Sequence, residues 1–302
     1  MTSKCPISES LIALAPQLEY RSVNEVARQV VDEIAHFGDA CLPVLKRMLG
    51  DDRHGIRHER LRLLVVWVVE GLAQDAGEPW IVGLLQHLVE LLEADQNSIS
   101  KSAVVVAIGA MGASAREAIP VLESQFRSEN GFYRLRVATV LLKVDPDHQQ
   151  KPEWLDALIN GVCSGNSSIA SAAAGCLTHL GSKAEAVLPT LERLHTSKCR
   201  LTQCFSAAAI YGISGELQPY LDGLSSLLES TSVSNRMLAV IKLTCLGSRA
   251  VPVAGRLRQI LAEFSPYDAD DEQEQLRKSI EYALLKMVSD PPASDSAIPD
   301  HR

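Results

Sequence analysis

The sequence predicts an all-α protein, a right-handed α-solenoid of about seven helix pairs, and two observations support this fold class. Leu and Ala dominate a composition that is 46% apolar but only 5% aromatic, which is the balance of helical rather than β-sheet proteins. An apolar-Pro-x-Leu pattern and a series of helix stops also recur along the chain with a common period of about 35 residues, as expected for stacked helix pairs.

The proline pattern is clearest in three copies. They read Leu42-Pro43-Val44-Leu45, Ile119-Pro120-Val121-Leu122 and Leu188-Pro189-Thr190-Leu191. Weaker copies at Gly83, Asp156, Pro219 and Pro252 complete the series. A proline inside a helix removes a backbone donor, so we expect the first helix of each pair to be bent.

Helix stops recur with the same period, and each follows an apolar stretch. They are Gly112, Pro146, Gly181, Gly215 and Gly247, at intervals of 34, 35, 34 and 32 residues. Two stretches with helical apolar spacing lie between successive stops, so each unit is predicted to be a helix, a polar turn and a second helix. Small residues in the second helices, such as Gly109 and Ala172–Gly175, are expected to let neighbouring pairs approach closely.

Two of these units resemble a known family. Gly112–Leu122 (GASAREAIPVL) and Gly181–Leu191 (GSKAEAVLPTL) are similar to HEAT repeats, an armadillo-type fold, of the short bacterial kind also found in phycobilisome lyases. The resemblance covers about residues 38 to 288 and implies a superhelical stack. Because the family includes scaffolds, lyases and nucleic-acid enzymes, the resemblance implies a fold and leaves the function open.

The chain is therefore predicted to have three parts. Residues 1–37 form N-terminal capping helices, with Ser22 and Glu25 as a capping box. Residues 38–288 form the repeat array, in which the last helix runs from about Leu276 to Val288 after a long acidic turn. Residues 289–302, rich in Pro, Ser and Asp, form a disordered tail.

Charge and hydropathy narrow the classes of function. The 29 Lys and Arg residues against 37 Asp and Glu give a net charge of -8, which disfavours general attraction to nucleic acid or anionic membranes. The longest apolar run, Leu63–Val69, is far shorter than the roughly 20 residues of a membrane span. No secretory signal is evident, so we expect a cytoplasmic protein whose seven cysteines are reduced and mostly in the core.

A row of basic residues near the predicted starts of the second helices is the candidate partner-binding site. Its members are Arg57, Arg60, Lys101, Arg134, Arg136 and Arg236. Equivalent positions of a solenoid align, so these residues could form a positive ridge that binds an acidic protein.

The sequence favours a structural role of the basic row over a role in binding. The resemblance to HEAT repeats implies that such residues pair with a polar residue about six positions earlier, forming an internal ladder. Asp95 and Lys101 have that spacing, and Asn130 with Arg136 and Ser230 with Arg236 are poorer matches.

The other clusters of polar residues lack the ligands or spacing that a metal site or a redox site would need. Arg53–Arg62 holds four arginines and two histidines, but His54 and His58 lack the further ligands of a metal site. Cys199 and Cys204 do not have the two-residue spacing of redox or zinc motifs. The three tryptophans lie in apolar helix contexts typical of core packing, and no phosphate loop or nucleophile elbow is present. We expect no metal, no cofactor and no small-molecule ligand.

The sequence thus favours a non-catalytic scaffold that binds another, unidentified protein through its solenoid surface. Two alternatives stay open. The family resemblance alone implies a bilin lyase-type protein, which attaches or detaches a tetrapyrrole chromophore on a protein cysteine. A HEAT-type nucleic-acid-binding protein is the third possibility, disfavoured by the acidic net charge.

Overall fold

The structure, a computed structural model, describes residues 31, 34, 36, 38–49, 56–73, 79–94, 98–264 and 271–289. These residues are almost entirely helical and contain no strand, which confirms the all-α prediction. The predicted capping box at Ser22 and Glu25 and residues 290–302 of the predicted tail lie outside them, while Ser289, predicted as the first tail residue, ends the last helix.

Contacts divide the chain into two compact units, Met1–Trp154 (unit 1) and Leu155–Arg302 (unit 2). The α-helices described in unit 1 are α1 Leu42–Leu49, α2 Ile56–Gly71, α3 Leu85–Ala94, α4 Ser98–Ala110, α5 Ile119–Ser128 and α6 Gly131–Val144. Helix α7, Lys151–Val162, contains the boundary. Unit 2 continues with α8 Ser167–Leu180, α9 Leu188–His195, α10 Arg200–Ser214, α11 Leu217–Leu228, α12 Val233–Leu246, α13 Ala254–Glu263 and α14 Asp271–Ser289.

The prolines of the clearest copies lie at the starts of α-helices and do not interrupt them. Pro120 and Pro189 are the second residues of α5 and α9, directly after the 3-10 segments Gly112–Ala118 and Gly181–Val187. At the start of a helix the missing proline N–H would have no intrahelical partner, and the fixed φ of proline suits the helix. The expectation that these prolines bend the first helices is therefore wrong.

The predicted glycine stops are confirmed. Gly181 follows α8 with a φ of +52°, and Gly215 follows α10 with a φ of +80°. Side chains with a Cβ rarely adopt these left-handed values, so glycine ends the helix at little steric cost.

Helix pairs stack within unit 1. Helix α1 packs on α2, α3 on α4 and α5 on α6, while the second helices α2, α4 and α6 also contact one another in sequence. The buried faces have the predicted periodicity, with Leu122 and Phe126 on α5 and Leu135, Ala138 and Leu141 on α6.

Unit 2 has the same kind of pairing. Helix α9 packs on α10, α11 on α12 and α13 on α14, and the second helices α8 and α10 lie against each other, as do α12 and α14. One continuous core of buried side chains extends from Cys204 to Met287.

One helical stretch among the described residues, Val233–Glu263, is long and apolar enough to cross a membrane by length and composition alone. Core helices of soluble proteins have the same composition, and this stretch contributes Ala239, Val240 and Leu243 to the buried core of unit 2. Gly247 also divides it into two α-helices joined by a 3-10 segment.

The last helix begins five residues before the predicted start. Residues 271–275, which the sequence places in an acidic turn, form the first turn of α14 and carry Asp271, Glu272 and Glu274. Acidic side chains are favourable there because they face the positive end of the helix dipole. The Arg277 guanidinium also donates to both Glu274 carboxylate oxygens, at 2.8 and 2.7 Å.

This bidentate pair gives a pH-dependent prediction. The hydrogen bonds from Arg277 hold the pKa of Glu274 at about 2, against an ordinary 4.5. Because the folded-state pKa is the lower one, the stabilisation is complete above about pH 4.5 and is lost as the pH falls towards 2. An NMR titration of the Glu274 carboxyl carbon should have a midpoint near 2.

Two variants test the cause of this shift. Arg277→Gln should move the midpoint most of the way back to 4.5, whereas Lys278→Gln should move it less, since Lys278 makes one 3.4 Å contact with Glu274. The group is exposed, so 1 M salt should reduce the shift. A midpoint near 4.5 in the unmodified protein would contradict the pairing.

Candidate interaction surface

The predicted basic residues do lie near the starts of second helices. Lys101, Arg134 and Arg236 are each the fourth residue of their helix, α4, α6 and α12. Arg57 and Arg60 lie in the first turns of α2, but their side chains are outside the described part of the chain. The structure brings α4 and α6 together in unit 1, so the described part of the row that shares a surface is Lys101, Arg134 and Arg136.

The polar links run forward to the next helix pair. Lys101 Nζ lies 3.8 Å from Glu129 Oε1, in the turn that precedes α6. In unit 2, Arg200 at the start of α10 donates to the carbonyl oxygen of Glu229, in the turn that precedes α12. Basic residues at helix starts therefore contact the polar turn one repeat later.

The internal ladder with a spacing of six is not found where it can be checked. Ser230 Oγ accepts from the side-chain amide of Asn235 and not from Arg236. Arg136 makes no hydrogen bond or ion pair, to Asn130 or to any other residue, within the described residues. Asp95, the proposed partner of Lys101, lies outside them. The pairs Asn130–Arg136 and Ser230–Arg236 of the ladder are therefore wrong, and the observed links join one helix pair to the next.

Arg134 contributes to the packing of the helices as well as to the surface. Its guanidinium carbon lies 4.4 Å from the centre of the Phe126 ring, a cation–π contact between the two helices of a pair. Its Nε is buried without a hydrogen-bond partner in the described chain. Arg236 is likewise half-buried with an unpartnered Nε. We therefore regard both residues as parts of the helix packing.

Arg136 is different, because it is exposed and has a neighbouring exposed aromatic residue. Phe132 is 53% exposed and lies four residues earlier on α6, so both side chains are on one face of the helix. Sequence reasoning selected Arg136 but missed Phe132. The available signal was its place directly after Gly131, in the first turn of the helix, ahead of the apolar positions from Leu135 onward that are buried.

The cysteines differ from their predicted role. Cys41 and Cys204 are buried, as expected, and Cys204 lies inside α10 with Cys199 just before it. Cys163, Cys199 and Cys245 are exposed, so the expectation of core cysteines is wrong for these three. Among the tryptophans, Trp154 is fully buried, while Trp67 and Trp80 are half-buried.

No group of three or more His, Cys, Asp or Glu side chains that could hold a metal ion occurs among the described residues. The pair of His54 and His58 cannot be placed, since His54 and the side chain of His58 lie outside the described residues. The surface feature best suited to recognition is therefore the face of α6 that carries Phe132 and Arg136, together with the Lys101–Glu129 pair at the turn that leads into this helix. We call this set of four residues the α6 surface.

No protein-family model matches the chain, and no curated protein is similar to it in sequence. The resemblance to HEAT repeats therefore rests on the sequence pattern alone.

Proposed function

We propose that this protein is a non-catalytic scaffold, an α-solenoid of HEAT-like helix pairs, that binds an acidic segment of another protein on the α6 surface. The observation that carries the proposal is the exposed pair of Phe132 and Arg136, which share one helix face. Within the described residues, the Arg136 guanidinium makes no hydrogen bond or ion pair. The stacking of second helices within each unit supports the repeat architecture.

The chemistry of the pair defines the partner. An unpaired guanidinium offers a planar set of donors that fits a carboxylate, and an exposed phenyl ring offers apolar area at low entropic cost. Arginine and aromatic residues are enriched among the residues that dominate protein interfaces. The expected ligand is a short segment with Asp or Glu near an aromatic or aliphatic side chain.

A rigid helix pair supports this kind of recognition. The start of α6 is held by the Lys101–Glu129 contact and by Arg134 over Phe126, so the α6 surface is formed before the partner arrives. A preformed surface loses little conformational entropy on binding. Lys101 adds positive charge, although Glu129 offsets part of it.

The proposal predicts a defined response to mutation. Peptides selected from a random display library on the full-length protein should be enriched in Asp or Glu beside an apolar residue. Arg136→Ala should weaken their binding roughly 30-fold, the effect of losing about 2 kcal/mol at an interface arginine. Fluorescence anisotropy with labelled peptides measures the change in Kd.

Matched variants make the result specific. Phe132→Ala should also weaken binding, whereas Arg193→Ala, which removes an exposed arginine of α9 in unit 2, should leave the Kd unchanged. Selected peptides without acidic residues, or a Kd unaffected by both α6 substitutions, would show that the α6 surface is not the binding site.

A further inference from the structure

Two exposed thiols of unit 2 lie in the turns inside two successive helix pairs. Cys163 directly follows α7, and Cys199 is the residue that precedes α10. Cys163 also lies just before α8, which packs side by side with α10. The turns before these two packed helices thus each carry a thiol at the surface.

The two turns lie at the same end of the packed helices, because Thr178 near the end of α8 meets Gly212 near the end of α10, and the two thiols differ in acidity. Hydrogen bonds from the backbone and side chain of Thr202, and from the backbone of Leu201, lower the pKa of Cys199. Burial and the charge of Cys199 raise the pKa of Cys163.

This asymmetry assigns different roles to the two sulfur atoms. The thiolate is the form of cysteine that reacts with peroxides, and it is favoured at Cys199. Cys163 keeps its proton and therefore competes less for the oxidant. A low-pKa, exposed cysteine beside a second thiol is the usual arrangement for reversible oxidation.

We propose that Cys199 and Cys163 form a peroxide-reactive pair that closes into a disulfide between the turns before α8 and α10. The Cys199 thiolate attacks hydrogen peroxide, the O–O bond breaks, and a sulfenic acid and hydroxide result. The Cys163 sulfur, giving its proton to that hydroxide, then attacks the Cys199 sulfur. The S–O bond breaks as the S–S bond forms, and the hydroxide that leaves takes a proton from the solvent. Two thiols and one peroxide yield one disulfide and two waters.

The two turns have to supply the approach that this bond needs. Disulfide formation requires the two Cα atoms to come within roughly 7 Å. Neither cysteine is inside a helix, so the short turns can adjust while the packed helices stay in place. The bridge would tie two successive helix pairs of unit 2 at one edge and constrain the unfolded chain between residues 163 and 199.

Mass spectrometry of the full-length chain after treatment with hydrogen peroxide tests the proposal. The chain has seven cysteines, and we expect two thiols to be lost together with the appearance of a Cys163–Cys199 cross-linked peptide that dithiothreitol removes. Cys199→Ser should abolish the cross-link. Cys163→Ser should let Cys199 accumulate as a sulfenic acid that dimedone traps.

Cys245→Ser provides the matched control. Cys245 is also exposed, but it lies inside α12, and its replacement should leave the rate and yield of the cross-link unchanged. The proposal is overturned if Cys199 of the unmodified protein proceeds to sulfinic acid while Cys163 can still be alkylated. It is equally overturned if Cys245 is oxidised as fast as Cys199.

Discussion

Replacing Trp154 with alanine should lower the free energy of unfolding by about 4 kcal/mol, the usual cost of deleting a fully buried large aromatic side chain. Trp154 heads the set of largest fully buried side chains in the described chain, with no solvent exposure. Its ring stacks on His148 with 4.9 Å between the ring centres and 12° between the planes. Alanine would leave a cavity that the surrounding helices fill only in part. Urea denaturation followed by circular dichroism measures the change.

Trp154→Phe separates the effect of volume from that of hydrogen bonding. The indole Nε1 is buried and has no hydrogen-bond partner among the described residues, so phenylalanine removes an unsatisfied donor while it keeps a ring against His148. We therefore expect a loss of only about 1 kcal/mol, the size of a modest core change. If Phe and Ala are equally destabilising, the indole N–H has a partner after all, and packing is not the main contribution of Trp154.

The parts of the fold that the sequence predicted are those set locally and repeated. The stops at Gly181 and Gly215 were predictable because ending a helix with a left-handed residue needs glycine wherever it occurs. The buried face of α6, with Leu135, Ala138 and Leu141, follows from helical periodicity alone. Both signals recur in several helix pairs, so each copy supports the next.

The parts that the sequence did not predict depend on contacts between repeats. The sequence does not predict the contact of Lys101 with Glu129 in the following helix pair, because it depends on how neighbouring pairs place that turn beside the start of α4. The acidic turn before the last helix was predicted as a loop from its charge, yet Asp271–Glu274 form the first turn of α14. The exposure of Cys163 and Cys199 has the same origin, since an apolar neighbourhood in sequence does not determine which turn meets solvent.

The glycines show most clearly the difference between what the sequence predicts and what the contacts between helices decide. Gly175 was expected to permit close helix packing, but a Cβ at that position would meet nothing within 4 Å. Gly212 was not selected from the sequence, yet a Cβ there would lie 2.5 Å from Thr178 Cβ and 2.6 Å from Thr178 Cγ2. The closest approach of α8 and α10 among these glycines is therefore at Gly212, and only the tertiary structure reveals it.

Gly212→Ala should accordingly destabilise the protein by about 2–3 kcal/mol, near the upper part of the range for overpacking. Thr178 cannot avoid the new methyl group by changing its rotamer, because its own Cβ is among the atoms that clash. The two helices would have to separate, and the loss of contact exceeds the gain of about 1 kcal/mol in helix propensity from glycine to alanine. Gly175→Ala is the matched control on α8, where the same propensity gain without a clash should stabilise the protein by up to about 1 kcal/mol.

A double-mutant cycle attributes the effect to the contact itself. Thr178→Gly removes the Cβ that blocks the methyl group, so combining it with Gly212→Ala should recover about 2 kcal/mol relative to the sum of the single changes. Thr178→Ala keeps the Cβ and should rescue much less, although it removes the hydroxyl that donates to the Ala174 carbonyl at 3.0 Å. Equal rescue by both replacements would indicate that the hydroxyl, and not the separation of the two helices, limits the space at Gly212.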